Sequence, residues 1–208
     1  MSPLPHDLRK VTKNTRSVNF KVAKDGSIQT RVHFTMEGTM SKTLEHLKAA
    51  FAGESQANRK YTAYAAKADA DGYPQIAKLF RAAAAGETVH AISEFKAMDG
   101  VKSTAENLKD AIGGENYEVV TMYPEFIKDA EAEGENRRAV VAFKNAIAVE
   151  KIHEALYREA LAMLEAGKKE EALYDYYVCP VCGYVEKISA PDRCPVCRTP
   201  GARFELVA

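Results

Sequence analysis

The sequence predicts a mainly α protein: four long helices in a bundle, a small C-terminal β module built on four cysteines, and an N-terminal β-hairpin arm. Three observations carry this expectation. Apolar residues recur at helical spacing through four stretches between residues 42 and 167. All 4 cysteines fall in the last 30 residues, as Cys179-x-x-Cys182 and Cys194-x-x-Cys197. Ahead of the helices, apolar and polar residues alternate twice around a turn. The 208-residue length, 46% hydrophobic content and 28% charged content are those of a globular chain of one or two domains.

In the arm, residues 1–41, Val18, Phe20 and Val22 alternate with polar residues, Lys24-Asp25-Gly26-Ser27 reads as a turn, and Ile28, Thr30, Val32 and Phe34 alternate again. A lone hairpin is marginal in water, so it is expected to lean on the body or on a second subunit. The first helix is expected over 42–68 with Ser41 as its N-cap, ending at the breaker-rich stretch Asp69-Ala70-Asp71-Gly72-Tyr73-Pro74. The second spans 74–98, with Pro74 in the favoured first turn. The third starts near Ser103 or Thr104 and runs to about 133, with a kink at Pro124, which lacks an N–H. The fourth spans 136–166 and stops at Gly167. A charged linker then leads into the cysteine module, so the domains are expected at 1–41, 42–167 and 168–208.

The chemistry lies in residues on an unexpected face. Stepping by helical spacing from apolar anchors gives Leu44, Leu47, Phe51, Glu54 and Tyr61 on the first helix. The second gives Ile76, Phe80, Ala83, Glu87, His90, Glu94 and Met98. The third gives Leu108, Ile112, Glu115, Glu118 or Val119, Met122 and Phe126. The fourth gives Phe143, Ile147, Glu150, His153, Tyr157, Leu161 and Leu164. Each stripe is interrupted by glutamate near its middle. A buried lone carboxylate costs several kcal/mol or turns neutral, so five converging glutamates require cations among them. Glu-x-x-His occurs twice, at Glu87/His90 and Glu150/His153, and that spacing puts both side chains on one helix face. One Glu from each of two helices plus Glu-x-x-His from each of the other two is the di-iron carboxylate arrangement of ferritin-like bundles. Any single glutamate here is more simply a solvated surface residue; the joint pattern is what points to metal. Glu94 fits no ligand slot and is read as an ordinary residue. Tyr61, Tyr117 and Tyr123 are core aromatics by the bland reading, or phenols that hydrogen-bond a ligating carboxylate.

The cysteine pairs, with 11 residues between them, read as a tetrathiolate metal site. Zinc and a single iron suit four thiolates equally, and from the cysteines alone zinc is the first choice. A formal net charge of zero argues against nucleic acid as a partner. No apolar run approaches the roughly 18–20 residues of a membrane span, and residues 1–10 show no secretory h-region. The expectation is a cytoplasmic protein. The charge balance is uneven, with +4 in residues 1–41 and −4 in the remainder.

These residues resemble the rubrerythrin family over residues 42–208. The matching stretches are 47–61 (LKAAFAGESQANRKY), 87–90 (ETVH), 107–126 (NLKDAIGGENYEVVTMYPEF), 150–153 (EKIH) and 179–206, which holds both CPVC knuckles. The resemblance implies a ferritin-like four-helix bundle followed by a rubredoxin-like β module. It implies that Glu87 and Glu150 bridge two irons, that Glu54 and Glu115 are terminal ligands, and that His153 binds the iron near Glu115. The other iron would exchange between His90 when reduced and Glu118 when oxidised. Tyr61 and Tyr123 match positions near the cluster, and the four cysteines match the ligands of one further iron, with zinc substitution in either kind of site.

The implied activity is reduction of hydrogen peroxide to water in oxidative-stress defence. Electrons would come ultimately from NAD(P)H through a rubredoxin or flavoprotein reductase, in a homodimer or larger homo-oligomer where one chain's thiolate site serves the other's di-iron site. The alternatives are a ferroxidase or iron-binding ferritin-like protein, and an inert scaffold with a structural zinc ribbon. Two departures stand out. Arg198 occupies the place where the second knuckle usually has a small residue, and the module has no tryptophan.

Overall fold

The computed structural model describes residues 41–167 and 174–207, together with the backbone of two strands, Ser17–Val22 (β1) and Ile28–His33 (β2). These strands pair antiparallel, with Ser17 opposite His33 and Val22 opposite Ile28. The expected turn at 24–27 and the rest of residues 1–40, and with them the arm as a unit, lie outside the described residues.

The body is mainly α. Helix α1 spans Lys42–Ala70, and the Ser41 side chain accepts from the Leu44 N–H as the expected N-cap. Helix α2 spans Pro74–Ala97. Helix α3 spans Thr104–Tyr117 and opens on a full capping box between Ser103 and Glu106. Helix α4 follows at Tyr123–Glu133, closed by left-handed Gly134. Helix α5 spans Arg137–Glu165, capped by the Asn136 side chain. The expected kink at Pro124 takes a more specific form. Glu118–Met122 winds as a π-helical turn, and the Tyr123 N–H bonds the Glu118 carbonyl five residues back. Proline's missing donor is absorbed by this widened turn rather than by a break. The turn begins at one of the five stripe glutamates.

The helices pair two by two. Helix α2 runs back along α1, and α5 runs back along α3, the π turn and α4. The seam of the first pair is made of small residues: Ala65, Ala68, Ala77, Ala84 and Ala91 are buried there beside Asn58. The Asn58 amide donates to the Ala84 carbonyl at 2.6 Å and to Thr88 Oγ1 at 2.7 Å, tying α1 to α2.

The cysteine module is a three-stranded antiparallel sheet in the order β4-β3-β5, from Tyr176–Val178 (β3), Val185–Lys187 (β4) and Glu205–Val207 (β5). It docks on α5. Val149, fully buried, packs with Cys179, Tyr184 and Cys194, flanked by Ile152, Val196 and Phe204. Lys187 reaches across to Glu159 at 2.6 Å. No helix among the described residues is long and apolar enough to cross a membrane.

Since Val149 joins helix to module with no residual exposure, Val149→Ala is expected to lower stability by about 2 kcal/mol, the sum of lost burial and cavity terms. Chemical denaturation checks this, and protease accessibility of the module should rise in parallel.

Candidate metal centres

Three donor sets come together. On the first helix pair, Glu54, Glu87 and His90 offer ligand atoms within 4.8 Å of one another. His90 Nδ1 lies 2.9 Å from Glu87 Oε2 and 3.9 Å from Glu54 Oε1. A hydrogen bond with Glu87 raises the Glu54 carboxyl above its ordinary range, helped by burial and by the Glu87 charge. The two carboxyls thus stand close together where a cation would offset their charge.

On the second pair, Glu115, Glu150 and His153 form a matching set. His153 Nδ1 lies 2.8 Å from Glu150 Oε2 and 3.9 Å from Glu115 Oε1. Burial, then a hydrogen bond with Glu150, then the charges of Glu150, Glu118 and Glu154 push Glu115 up to about 7. Glu118, at the start of the π turn, is also raised, by burial and by the Glu150 charge. The Tyr123 phenol is raised by burial and by Glu118, Glu150 and Glu115, which places it at the rim of this set. The ring packs on Phe126 and Phe143.

The third set is the four cysteines, with Cys179 and Cys194 buried. The sulfur pairs Cys179–Cys197 and Cys182–Cys194 are both 3.5 Å apart. The knuckles turn as expected: Gly183 has φ of 84° and Arg198 φ of 67°, so arginine does adopt the left-handed conformation that favours glycine. Each knuckle closes with an N–H to the first cysteine's carbonyl, Gly183 to Cys179 and Arg198 to Cys194, both at 3.0 Å. Burial opposes ionisation of Cys197. The hydroxyl of buried Thr199, 3.0 Å from the sulfur, the Thr199 backbone, and Cys182 and Cys179 together outweigh burial and bring the thiol down to about 6.

The module and the second carboxylate set touch. His153 Nε2 lies 3.2 Å from the Gly183 carbonyl, the residue that follows Cys182. His153 is therefore held at both ring nitrogens, with Nδ1 turned to the carboxylates and Nε2 to the cysteine knuckle. A donor set of two carboxylates and one imidazole suits iron or zinc, and four sulfurs suit the same metals.

A family model described as rubrerythrin matches residues 45–161, and one described as the rubredoxin-like domain of rubrerythrin matches residues 177–205. The chain belongs to the rubrerythrin family. It is similar to rubrerythrin of Porphyromonas gingivalis, 41% identical over 180 residues that cover 79% of this chain and 90% of the relative. Nigerythrin of Nitratidesulfovibrio vulgaris is 37% identical over 179 residues, covering 79% and 86%. A solved structure of nigerythrin in its fully reduced, all-ferrous state is 34% identical, with coverage of 84% and 91% and a TM-score of 0.48. Rubrerythrin membership makes this chain one of a family of oxidoreductases, with a ferritin-like di-iron domain and a rubredoxin-like domain.

The remaining expected residues divide. Tyr61 stacks with Phe80 and Tyr64, and it makes no hydrogen bond to a cluster carboxylate among the described residues. Tyr117, a candidate core aromatic, is exposed instead. Sequence spacing missed several neighbours. Glu94, read as ordinary, stands near enough to Glu54 to raise its carboxyl, and its Oε2 is buried without a hydrogen-bond partner. Glu154 flanks Glu115, accepting from Asn116 at 3.4 Å and from Arg158 Nε at 2.8 Å. Being next to His153 in sequence, it sits off the stripe that spacing follows. Thr199 carries no motif signal at all.

Two outcomes follow. Glu115 holds its proton to about 7 when folded against 4.5 for the free group. The folded, metal-free protein therefore binds more protons than the unfolded chain between these values, and its stability falls as pH rises through that window. Denaturation of the metal-free protein across this range should show the fall, and Glu115→Gln should flatten it. Thr199→Val should move Cys197 thiolate formation to higher pH, read by ultraviolet absorbance of the reduced, metal-free protein.

Proposed function

We propose that this chain is a non-haem di-iron peroxidase that reduces hydrogen peroxide to water and is re-reduced through an iron on its four cysteines. The observation that carries the reading is His153, shared between a carboxylate set and the cysteine knuckle through 2.8 Å and 3.2 Å contacts. Such a bridge has a use in a protein that moves electrons between two metal sites and none in a ferroxidase store.

When bound, the irons supply two Lewis acids and the two electrons that each peroxide consumes. The chain's own residues hold and orient. Glu54, Glu87 and His90 form one ligand set; Glu115, Glu150 and His153 form the other; Cys179, Cys182, Cys194 and Cys197 hold the third metal. Glu118, at the start of the π turn, would be the exchanging ligand of a bound iron, and His90 would be its alternative in the reduced state. Tyr61 and Tyr123 serve as phenols beside the centre, Tyr123 donating toward the second set. Reduction of one peroxide to two waters also takes up two protons, which must reach the site from solvent, since Glu115 and Glu118 would be deprotonated as ligands.

Residues 1–41 form an arm, residues 42–167 the di-iron bundle and residues 168–208 the linker and thiolate module. Four free thiols at one point fit a reducing cytoplasm. Electrons arrive from NAD(P)H through a rubredoxin or flavoprotein reductase.

Glu118→Ala should lower peroxide turnover by at least tenfold while iron content stays near about three per chain. Anaerobic iron analysis with stopped-flow peroxide reduction checks it. Unchanged turnover with iron retained would remove Glu118 from the mechanism. Zinc alone, after iron-replete anaerobic expression, would sink the peroxidase reading.

A further inference from the structure

After Cys197 the chain turns through Arg198 and runs back beside the residues that lead into Cys194. Three contacts fix this return. The Cys194 N–H donates to the Thr199 carbonyl at 2.8 Å, and the Gly201 N–H donates to the Asp192 carbonyl at 2.8 Å. Between them, Arg193 and Pro200 form an antiparallel bridge. The approach at Gly201 is so close that a Cβ there would lie 1.9 Å from the Pro191 carbonyl oxygen. Thr199 is thereby set in one place, with only 7% of its surface exposed. Being β-branched, it has few side-chain conformers to choose from.

The Thr199 hydroxyl lies 3.0 Å from the Cys197 sulfur. A metal-bound cysteine carries no proton. In the loaded site the sulfur can therefore only accept, and the hydroxyl donates. This bond is an addition to the knuckle's main-chain pattern. The Thr199 backbone bonds the Cys197 sulfur, just as the Tyr184 backbone bonds the Cys182 sulfur. Tyr184 stands at the same offset from Cys182, but its hydroxyl is turned away and donates to Glu186 at 2.5 Å. Cys197 thus receives a side-chain donor that Cys182 does not get from the matching position.

The direction of the effect follows from charge. Four thiolates around Fe(III) sum to one negative charge, and around Fe(II) to two. One electron enters, and no bond forms or breaks. The extra negative charge falls partly on the sulfurs, and a hydrogen bond strengthens as its acceptor gains charge. The donor therefore stabilises the reduced site more than the oxidised one, and hydrogen bonds to the sulfurs are among the features that set such potentials.

We propose that Thr199 tunes the four-cysteine site: its hydroxyl donates to Cys197 and raises the reduction potential of the iron held there. The module then accepts an electron more readily than its main-chain hydrogen bonds alone would allow. The inference rests on the reading above that the cysteines hold iron. Thr199 touches neither iron nor substrate; it is a positioning residue that acts through the Cys197 sulfur.

Two substitutions separate the hydroxyl from the packing. Thr199→Val removes the donor and keeps the shape, while Thr199→Ser keeps the donor and removes the methyl. Each full-length chain is made anaerobically with iron. The potential of the thiolate iron is read by optical titration with dithionite and mediators at fixed pH. Loss of a hydrogen bond to a charged sulfur should lower the equilibrium constant for reduction about tenfold in Thr199→Val. For one electron that is a downward shift of about 59 mV. Thr199→Ser should stay near the wild-type value. The sulfur-to-iron charge-transfer bands of oxidised Thr199→Val should also move to longer wavelength, because an unbonded thiolate gives up its electron more easily. If Thr199→Val does not load iron, Thr199→Ala removes the same donor and carries the same expectation. An unchanged potential in the variants that lack the hydroxyl overturns the proposal, and so do equal shifts in the Val and Ser variants. In both cases the charge-transfer bands would leave the iron reading standing. Cysteines that take up zinc and no iron would instead sink that reading, and the tuning with it.

Discussion

Carboxylates on the inward stripe of every helix are the constraint that organises this protein. A glutamate in an apolar stripe is tolerable only if its charge is met, neutralised or left near water. The structure shows the second and third solutions. A hydrogen bond with Glu87 raises Glu54, burial pushes Glu115 up to about 7, and His90 of the first set stays exposed. Metal ions are the first solution. The helix pairs, the small-residue seam and the wide turn at Glu118 all make sense as means of holding acids in place until cations arrive.

The seam deserves its physical reading. A pair of helices that buries alanine at Ala65, Ala68, Ala77, Ala84 and Ala91 brings backbones close and gains little apolar area. Such a pair is weak alone. The larger residues pack with other rings instead: Phe51 on Phe95, Phe80 on Tyr61 and Tyr64, and Phe126 and Phe143 on Tyr123. Asn58 compensates in part, with directional bonds to α2 in place of area.

Much of this was legible in the sequence because helix periodicity is strong over 24- to 29-residue segments. Ser41, Ser103 and Asn136 announced three helix starts, and the two Glu-x-x-His pairs and two knuckles announced the donor sets. Spacing could not tell a proline kink from a π turn: Pro124 removes a donor in either case, and the choice depends on whether the Tyr123 N–H can reach Glu118. Glu154 and Thr199 were invisible for a different reason. They support ligands from positions one and two residues away, where no periodicity points.

The arginine at 198 and the histidine at 153 show how the module is matched to its seat. A knuckle needs a left-handed residue after its second cysteine, and here one knuckle uses Gly183 and the other Arg198. The two residues face different surroundings. Gly183 lies under Val149, whose Cγ1 would sit 3.8 Å from a Cβ placed there, and offers its carbonyl to His153. Arg198 faces solvent, so a side chain is accommodated at the cost of backbone strain alone. Helix, knuckle and carboxylate set converge on the Gly183 side, and the module's seat on α5 combines the His153 contact with the Val149 cluster and the Lys187–Glu159 pair.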